Sequence, residues 1–211
     1  ASIGRICPHP CEDECRRQLV EEPISIAALK AFAGDYALKV GSILPEMKPP
    51  TGKKVAVVGA GPAGISCAYY LAKDGHSVTI YEAMPAPGGM MRYGIPQYRL
   101  PKEILDQEIQ QLVRMGVEIK YNTRIGRDLS LDYLRETNDA VFLAVGAWQS
   151  MGIGCAGDNL PGVVGGIDFL RDVAMNNKVE IGKKVLVIGG GNTAMDVART
   201  AVRLGAEKVS V

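Results

Sequence analysis

One stretch constrains this chain of 211 residues more than any other. The apolar run Val55-Ala56-Val57-Val58 opens directly into Gly59-Ala60-Gly61-Pro62-Ala63-Gly64. A short unbroken apolar run that ends at a glycine turn reads as a strand buried on both faces, the kind found inside a parallel sheet. Each glycine then has its own reason to be there. Gly59 permits the tight turn, Gly61 keeps a Cβ out of the way of an approaching pyrophosphate, and Gly64 lets the next helix lie close to the strand. That helix is expected from about Ala63 to Lys73, with Gly75 ending it and Ser77–Tyr81 forming a second strand. Phosphates rest on such a helix N-terminus, where free amides and the helix dipole favour negative charge. Glu82 closes the second strand 18 residues after Gly64, near the spacing of about 20 at which a carboxylate accepts hydrogen bonds from a ribose. The whole is a βαβ unit for a dinucleotide, and by itself it does not choose between FAD and NAD.

A second unit repeats the pattern. Lys184–Ile188 reads as a strand, Gly189-Gly190-Gly191-Asn192 as the turn, Thr193–Leu204 as a helix and Lys208–Val211 as another strand. Ala194 stands in the third glycine position, a tolerated variant, and Asn192 and Thr193 add donors near the helix start. Two turns imply two dinucleotides: a nicotinamide that delivers a hydride and a flavin that accepts it. The first turn is therefore read as an FAD site and the second as an NAD(P)H site. The residues that would recognise the second adenine ribose fall past Val211, so the spacing leaves NAD and NADP open. Asp196, near the start of the second helix, reads equally as a surface acid complementing the dipole and as a site residue.

Around these units the chain divides into 1–48, 52–150, a connector over 151–181, and 182–211. Residues 1–23 carry cysteine and charge without periodicity. Ile24–Val40 reads as a helix, with Ile26, Leu29, Ala33, Tyr36 and Val40 at helical spacing. Pro45, Pro49, Pro50 and Gly52 make a linker, and Gly88–Leu100 a loop. A helix starting at Pro101 is expected to bury Leu105, Ile109, Leu112 and Val113 and to stop at Gly116. Val117–Lys120 and Asp139–Val145 read as strands, Leu131–Thr137 and Ile167–Met175 as helices, and 150–166 as a loop.

A net charge of +1 with both signs interspersed argues against a nucleic-acid surface. No apolar run approaches 18 residues, so no membrane span is expected. The polar, cysteine-bearing start is not a signal peptide, and a cytoplasmic protein is the expectation. Of five cysteines, Cys7, Cys11 and Cys15 crowd into the first fifteen residues in C-x3-C-x3-C spacing. Thiolates are the usual ligands of iron–sulfur clusters, which take four, whereas zinc's pairs, commonly about two to four residues apart, come with a distant second pair. His9, between two prolines, reads as positional. Cys67 reads as core, and Cys155 lies in a loop. No Ser/His/Asp set is visible, so no catalytic side chain is assigned.

Several strings coincide with a known pattern: Gly4-Arg5-Ile6-Cys7-Pro8, Cys11-Glu12 with Cys15, Glu22-Pro23-Ile24-Ser25-Ile26, the first glycine turn, Gly88-Gly89-Met90-Met91-Arg92-Tyr93-Gly94-Ile95-Pro96-Gln97-Tyr98-Arg99-Leu100-Pro101, and Gly189 through Asp196. Over essentially its whole length the chain resembles the glutamate synthase small-subunit family, which includes the N-terminal half of dihydropyrimidine dehydrogenase and the large subunit of the NADH-dependent ferredoxin:NADP oxidoreductase. The resemblance implies an α/β fold. A Rossmann-like FAD domain and the start of an inserted NAD(P)-binding domain would follow part of an α-helical [4Fe-4S] domain, all as a fragment of a longer chain. It implies that Cys7 and Cys11 serve one [4Fe-4S] cluster and Cys15 the other. Lys30 stands where some relatives place a Gln or Glu ligand. It also implies that Gly59, Gly61, Pro62 and Ala63 meet the FAD pyrophosphate and Glu82 the ribose. Gly89, Met90, Arg99 and Ile125 would lie at the flavin cofactor, and Ile6 on the flavin side of the cluster domain. Ala144-Val145-Gly146-Ala147 is similar to the A-T-G motif that ends the first pass of the FAD domain, with Val145 in the threonine place. NADP is favoured over NAD. The implied function is electron transfer between NAD(P)H, FAD and [4Fe-4S] clusters to a partner subunit or domain; the alternative is a scaffold that keeps the fold without redox turnover, for which Lys30 speaks.

Overall fold

The computed structural model describes residues 1–41 and 44–211. In chain order its helices are α1 (Ser2–Ile6), α2 (Pro10–Asp13), α3 (Ile26–Lys39), α4 (Pro62–Lys73), α5 (Met90–Tyr93), α6 (Lys102–Arg114), α7 (Leu131–Thr137), α8 (Gly166–Ala174) and α9 (Asn192–Arg203). The strands are β1 (Lys54–Val58), β2 (Ser77–Tyr81), β3 (Glu118–Lys120), β4 (Ala140–Leu143), β5 (Lys184–Leu186) and β6 (Lys208–Ser210). Two compact units result. The first comprises Ala1–Gly88 with Gln97–Val145, and the second Gly89–Pro96 with Gly146–Val211.

In the first unit the apolar run becomes β1, which pairs in parallel with β2 on one side and β4 on the other. The four-stranded order is β3-β2-β1-β4. Side chains alternate across a strand, so β1 feeds two cores. Val57 packs with Val78 and Ile80 against Ala68 and Ala72 of α4 and Leu112 of α6. Ala56 and Val58 pack with Tyr81 against Leu134 of α7. Burial on both faces explains why β1 reads as an unbroken apolar run rather than an alternating one. The α/β, Rossmann-like expectation holds.

The second unit carries β5 and β6 as a parallel pair joined through α9. Tyr93 of α5 sets its ring 5.8 Å from that of Trp148. No helix among the described residues is long and apolar enough to cross a membrane.

Several local expectations shift. Residues 1–23 are not aperiodic: they hold α1, α2 and a 3-10 turn over Arg16–Leu19, each too short to display a repeat. A Cβ on Gly4 would overlap the Ala31 backbone, so α1 lies directly on α3, and Arg5 forks onto both carboxylate oxygens of Asp35 at 2.8 Å. The apolar spacing in α3 did mark a helix but not a buried face. None of its residues is buried, and Leu29 and Tyr36 are more than half exposed. The Gly88–Leu100 loop contains the single turn α5. Pro101 is the residue before α6, not its first, a one-residue difference typical of helix ends. Leu105, Ile109 and Leu112 are buried as expected, but Val113 is 43% exposed, and Met115 joins the core instead. β4 stops at Leu143 because its pairing with β1 ends at Val58. Cys67 packs against the first core, as read, and burial pushes its thiol up.

Candidate functional site

In an open parallel sheet ligands bind beyond the carboxyl ends of the strands, and the first glycine turn lies at that end of β1. Gly59 has φ +105, a conformation suited to glycine. Its amide donates to the Tyr81 carbonyl at 2.8 Å. A Cβ there would overlap the carbonyl oxygen of Ala144, the residue after β4. A Cβ on Gly64 would overlap the Gly59 carbonyl oxygen, so Gly64 is what allows α4 to lie this close to β1. Gly61 precedes α4 in extended conformation, and no side chain caps the helix. Pro62 at its first position has no amide to leave unpaired, while the amides of the first turn have no intrahelical acceptor.

Glu82 is 5% exposed. Its Oε2 accepts the Ala60 amide at 2.7 Å and its Oε1 the Met84 amide at 2.8 Å. The carboxylate therefore ties the glycine turn to the loop after β2. The next loop joins the same rim: the Thr123 amide donates to the Glu82 carbonyl at 2.8 Å. Ile125, two residues on, packs against the second core. The structure thus gathers Gly59, Ala60, Gly61, Gly64, Glu82 and the Ile125 loop at one end of one sheet. Arg99 is partly buried in the same unit, before α6. Gly89 and Met90 fall in the other unit, where Gly89 has φ 51 and precedes α5.

The second turn copies the first at an offset of 130 residues. Gly189 has φ +126, and Gly191 precedes α9 with φ −80 and ψ 177, against −78 and −178 at Gly61. Both helices run 12 residues. The difference lies in room. A Cβ on Gly190 or Gly191 meets nothing within 4 Å. The Ala194 Cβ lies 3.7 Å from where one on Gly189 would be, which is ordinary contact. Asp196 is not the surface acid of one reading: it is buried, at 4% exposure, on the second turn of α9. The Thr200 hydroxyl, one turn further, is buried without a hydrogen-bond partner.

The sequence profile described as "Pyridine nucleotide-disulphide oxidoreductase" matches residues 53–211, which takes in both turns. The chain belongs to the pyridine nucleotide-disulphide oxidoreductase family. It has the fold and family of an FAD-dependent NAD(P)H oxidoreductase. A relative in this class, "NADPH-Fe(3+) oxidoreductase subunit beta" of Geobacter sulfurreducens, is 51% identical over 97% of this chain and 31% of its own length. "Glutamate synthase [NADPH] small chain" of Escherichia coli is 38% identical over 98% of this chain and 47% of its own. The chain thus spans about a third to a half of these relatives. Among solved structures, "Mycobacterium tuberculosis FprA in complex with NADPH" superposes with a TM-score of 0.62 at 27% identity, over 72% of this chain and 36% of that one.

The cysteine segment precedes the family match. Cys7 follows α1, Cys11 lies in α2, and Cys15 precedes the 3-10 turn. The His9 amide donates to the Cys7 sulfur at 3.4 Å. That bond, with Lys30, holds the Cys7 thiol below the usual thiol range. The amides of Ile24 and Arg17 do the same for Cys15. His9 is held by contacts of its own. It precedes α2 with φ 47, and its Nδ1 lies 3.2 Å from Glu12 Oε2. Glu12, which the sequence reading did not single out, reaches from α2 to accept the Ala27 amide at 2.7 Å. Among the described residues no three His, Cys, Asp or Glu side chains gather as a metal site.

Proposed function

We propose that this chain holds FAD at Gly59–Gly64 and meets NAD(P)H at Gly189–Gly191, as part of an electron-transfer oxidoreductase subunit. The observation that carries this reading is the repeat itself. Two strand–turn–helix units share one backbone geometry, and in the first a buried carboxylate is bonded to the turn. NADPH is the favoured nicotinamide, in keeping with the names of both relatives and with the NADPH complex of FprA.

The residues present fit FAD. Gly59 lets the turn close against the Ala144 carbonyl and Gly64 lets α4 lie against the turn, α4 begins uncapped, and Glu82 lies buried beside Ala60. Bound there, FAD would supply the exchange between hydride and single-electron chemistry. The chain's own work is binding and orientation. The amides at Ala63 and Gly64 would hold the pyrophosphate, and Glu82 would accept ribose hydroxyls on lone pairs that its two amide bonds leave open. Ile6, Gly89, Met90, Arg99 and Ile125 are assigned to the flavin by the resemblance. Gly190, Asn192 and Thr193 take the nicotinamide dinucleotide's phosphates with Gly189 and Gly191. No side chain is needed as a nucleophile.

The three cysteines do not by themselves fit a complete [4Fe-4S] site, since no three ligating groups gather among the described residues. The amide-bonded sulfurs of Cys7 and Cys15, together with Cys11, suit partial ligand sets, Cys7 and Cys11 for one cluster and Cys15 for another, and no electron step is drawn through either. The acceptor is a partner subunit or domain, in keeping with the relatives named as a beta subunit and a small chain.

The test is the full-length protein purified without oxygen. It is expected to be yellow, with flavin absorbance that NADPH bleaches. A colourless protein that fails to take up added FAD overturns the reading.

A further inference from the structure

The turn that carries Ile125, Arg124–Leu129, is closed by Asp128. Asp128 Oδ2 accepts the Arg124 amide at 2.8 Å and Arg127 Nη2 at 2.9 Å, while Oδ1 accepts Arg127 Nε at 2.8 Å. The Asp128 amide donates back to the Arg124 carbonyl at 2.8 Å, and the Gly126 amide to the Leu129 carbonyl at 2.7 Å. Neither backbone group of Ile125 takes part in these bonds. Its side chain packs toward the second core, and Gly126 beside it, at φ +92, has open space where a Cβ would be. The turn is also stitched to the loop after β2, through Thr123 to the Glu82 carbonyl at 2.8 Å and through Asn122 to the Met84 carbonyl at 3.3 Å. Its nearest functional neighbour is therefore the acid assigned to the adenosine ribose.

We propose that Asp128 is a positioning residue for the adenosine end of the bound dinucleotide, fixing the Arg124–Leu129 turn so that Ile125 is presented to it. The inference rests on the FAD assignment above. Three features carry it: the bonds that Asp128 makes to the turn's own backbone, the main-chain donor and acceptor of Ile125, which are free among the described residues, and the tie to Glu82. A free N–H and C=O on one residue match the acceptor and donor on an adenine edge. The arginine partner holds the Asp128 carboxyl down to about 2, so the turn is set at every working pH.

The test measures FAD affinity and ADP displacement on the full-length protein, below the melting temperature of each variant. Asp128→Ala is expected to weaken FAD and ADP in parallel, on the order of tenfold, the scale of a lost hydrogen bond to a charged group. Asp128→Asn keeps an oxygen for the Arg124 amide and is expected to recover most of that loss. Arg127→Ala removes an exposed ion pair and is expected to change affinity by about twofold or less. Asp128→Glu, which keeps the surface charge and should fold even where the alanine variant does not, is expected to weaken both ligands because its carboxylate is displaced by a methylene. The proposal is overturned if the alanine and glutamate variants bind FAD as the parent does, or if FAD weakens while ADP does not. A parent protein that binds no FAD refutes the flavin assignment itself, and this proposal with it.

Discussion

Replacing Glu82 with glutamine puts a number on the tie between the glycine turn and the second strand. The carboxylate accepts two backbone amides, from Ala60 at 2.7 Å and from Met84 at 2.8 Å, in a site 5% exposed. Glutamine is nearly the same size but has one acceptor oxygen and one amide nitrogen. Whichever way it turns, one of the two main-chain N–H groups faces another donor. The variant loses a bond to a charged acceptor and leaves a buried donor unpaired, together about 2–3 kcal/mol. That is a large share of the roughly 5–15 kcal/mol that holds an ordinary domain together. Urea unfolding of the flavin-free protein, followed by circular dichroism, measures the loss as a lower midpoint at unchanged slope. Amide exchange locates it. Ala60 or Met84 should exchange faster, while Gly59, whose amide donates to the Tyr81 carbonyl, should not. A stability change under about 0.5 kcal/mol, or equal protection of all three amides, would refute the reasoning.

Other outcomes follow from the same geometry. Gly64→Ala drives a Cβ into the Gly59 carbonyl and should cost about 1–3 kcal/mol or more in the same unfolding assay, whereas Gly190→Ala, with open space around it, should stay within roughly 0.5 kcal/mol; equal effects would contradict the difference in packing. Because the Asp128 carboxyl is lowered from 3.8 to about 2, its contribution is present above about pH 4 and lost as pH falls through 2. The stability gap between the parent and Asp128→Asn should therefore be full at pH 5 and closed near pH 2, as read by denaturation across that range; a gap independent of pH argues against the Arg127 pairing. In the cluster-free protein, Cys7 and Cys15, held below the usual thiol range, should be alkylated by iodoacetamide at neutral pH well before Cys67, which burial pushes up. Timed peptide mass spectrometry gives the order, and early labelling of Cys67 would contradict it.

What was legible in the residues was what sterics decide locally. A glycine that must take positive φ, and one that must admit a neighbouring carbonyl, leave a mark at fixed spacing, so both turns and the helices after them were readable. What packs against a helix leaves no such mark. The stripe of Leu29, Tyr36 and Val40 says that α3 has an apolar side, yet whether that side is covered depends on its neighbours, and here it is not. Asp196 was left open between surface and site for the converse reason: an acid near a helix start suits solvent and dipole alike, and only tertiary contact puts it at 4% exposure. Met90–Tyr93 is one helical turn, shorter than any period that would reveal it. Asp128 and Glu12 act through backbone amides, which pair with any residue and so leave the partner invisible in the sequence. The signal that was available at Asp128 is its place two residues after Gly126, where a short acid commonly closes a turn.

The two units are interleaved along the polypeptide, since Gly89–Pro96 belongs with residues 146–211 while the residues between them complete the first sheet. During synthesis the ring of Tyr93 leaves the ribosome long before Trp148, its partner at 5.8 Å, has been made. β4 must likewise be translated before β1 gains its second neighbour. Neither unit is a contiguous length of chain. A truncation that starts at residue 146 would strip the second unit of α5, and one that stops at 88 would leave the first with two of its four strands. Dissecting this protein into working parts calls for circular permutation or a spliced linker rather than a simple cut.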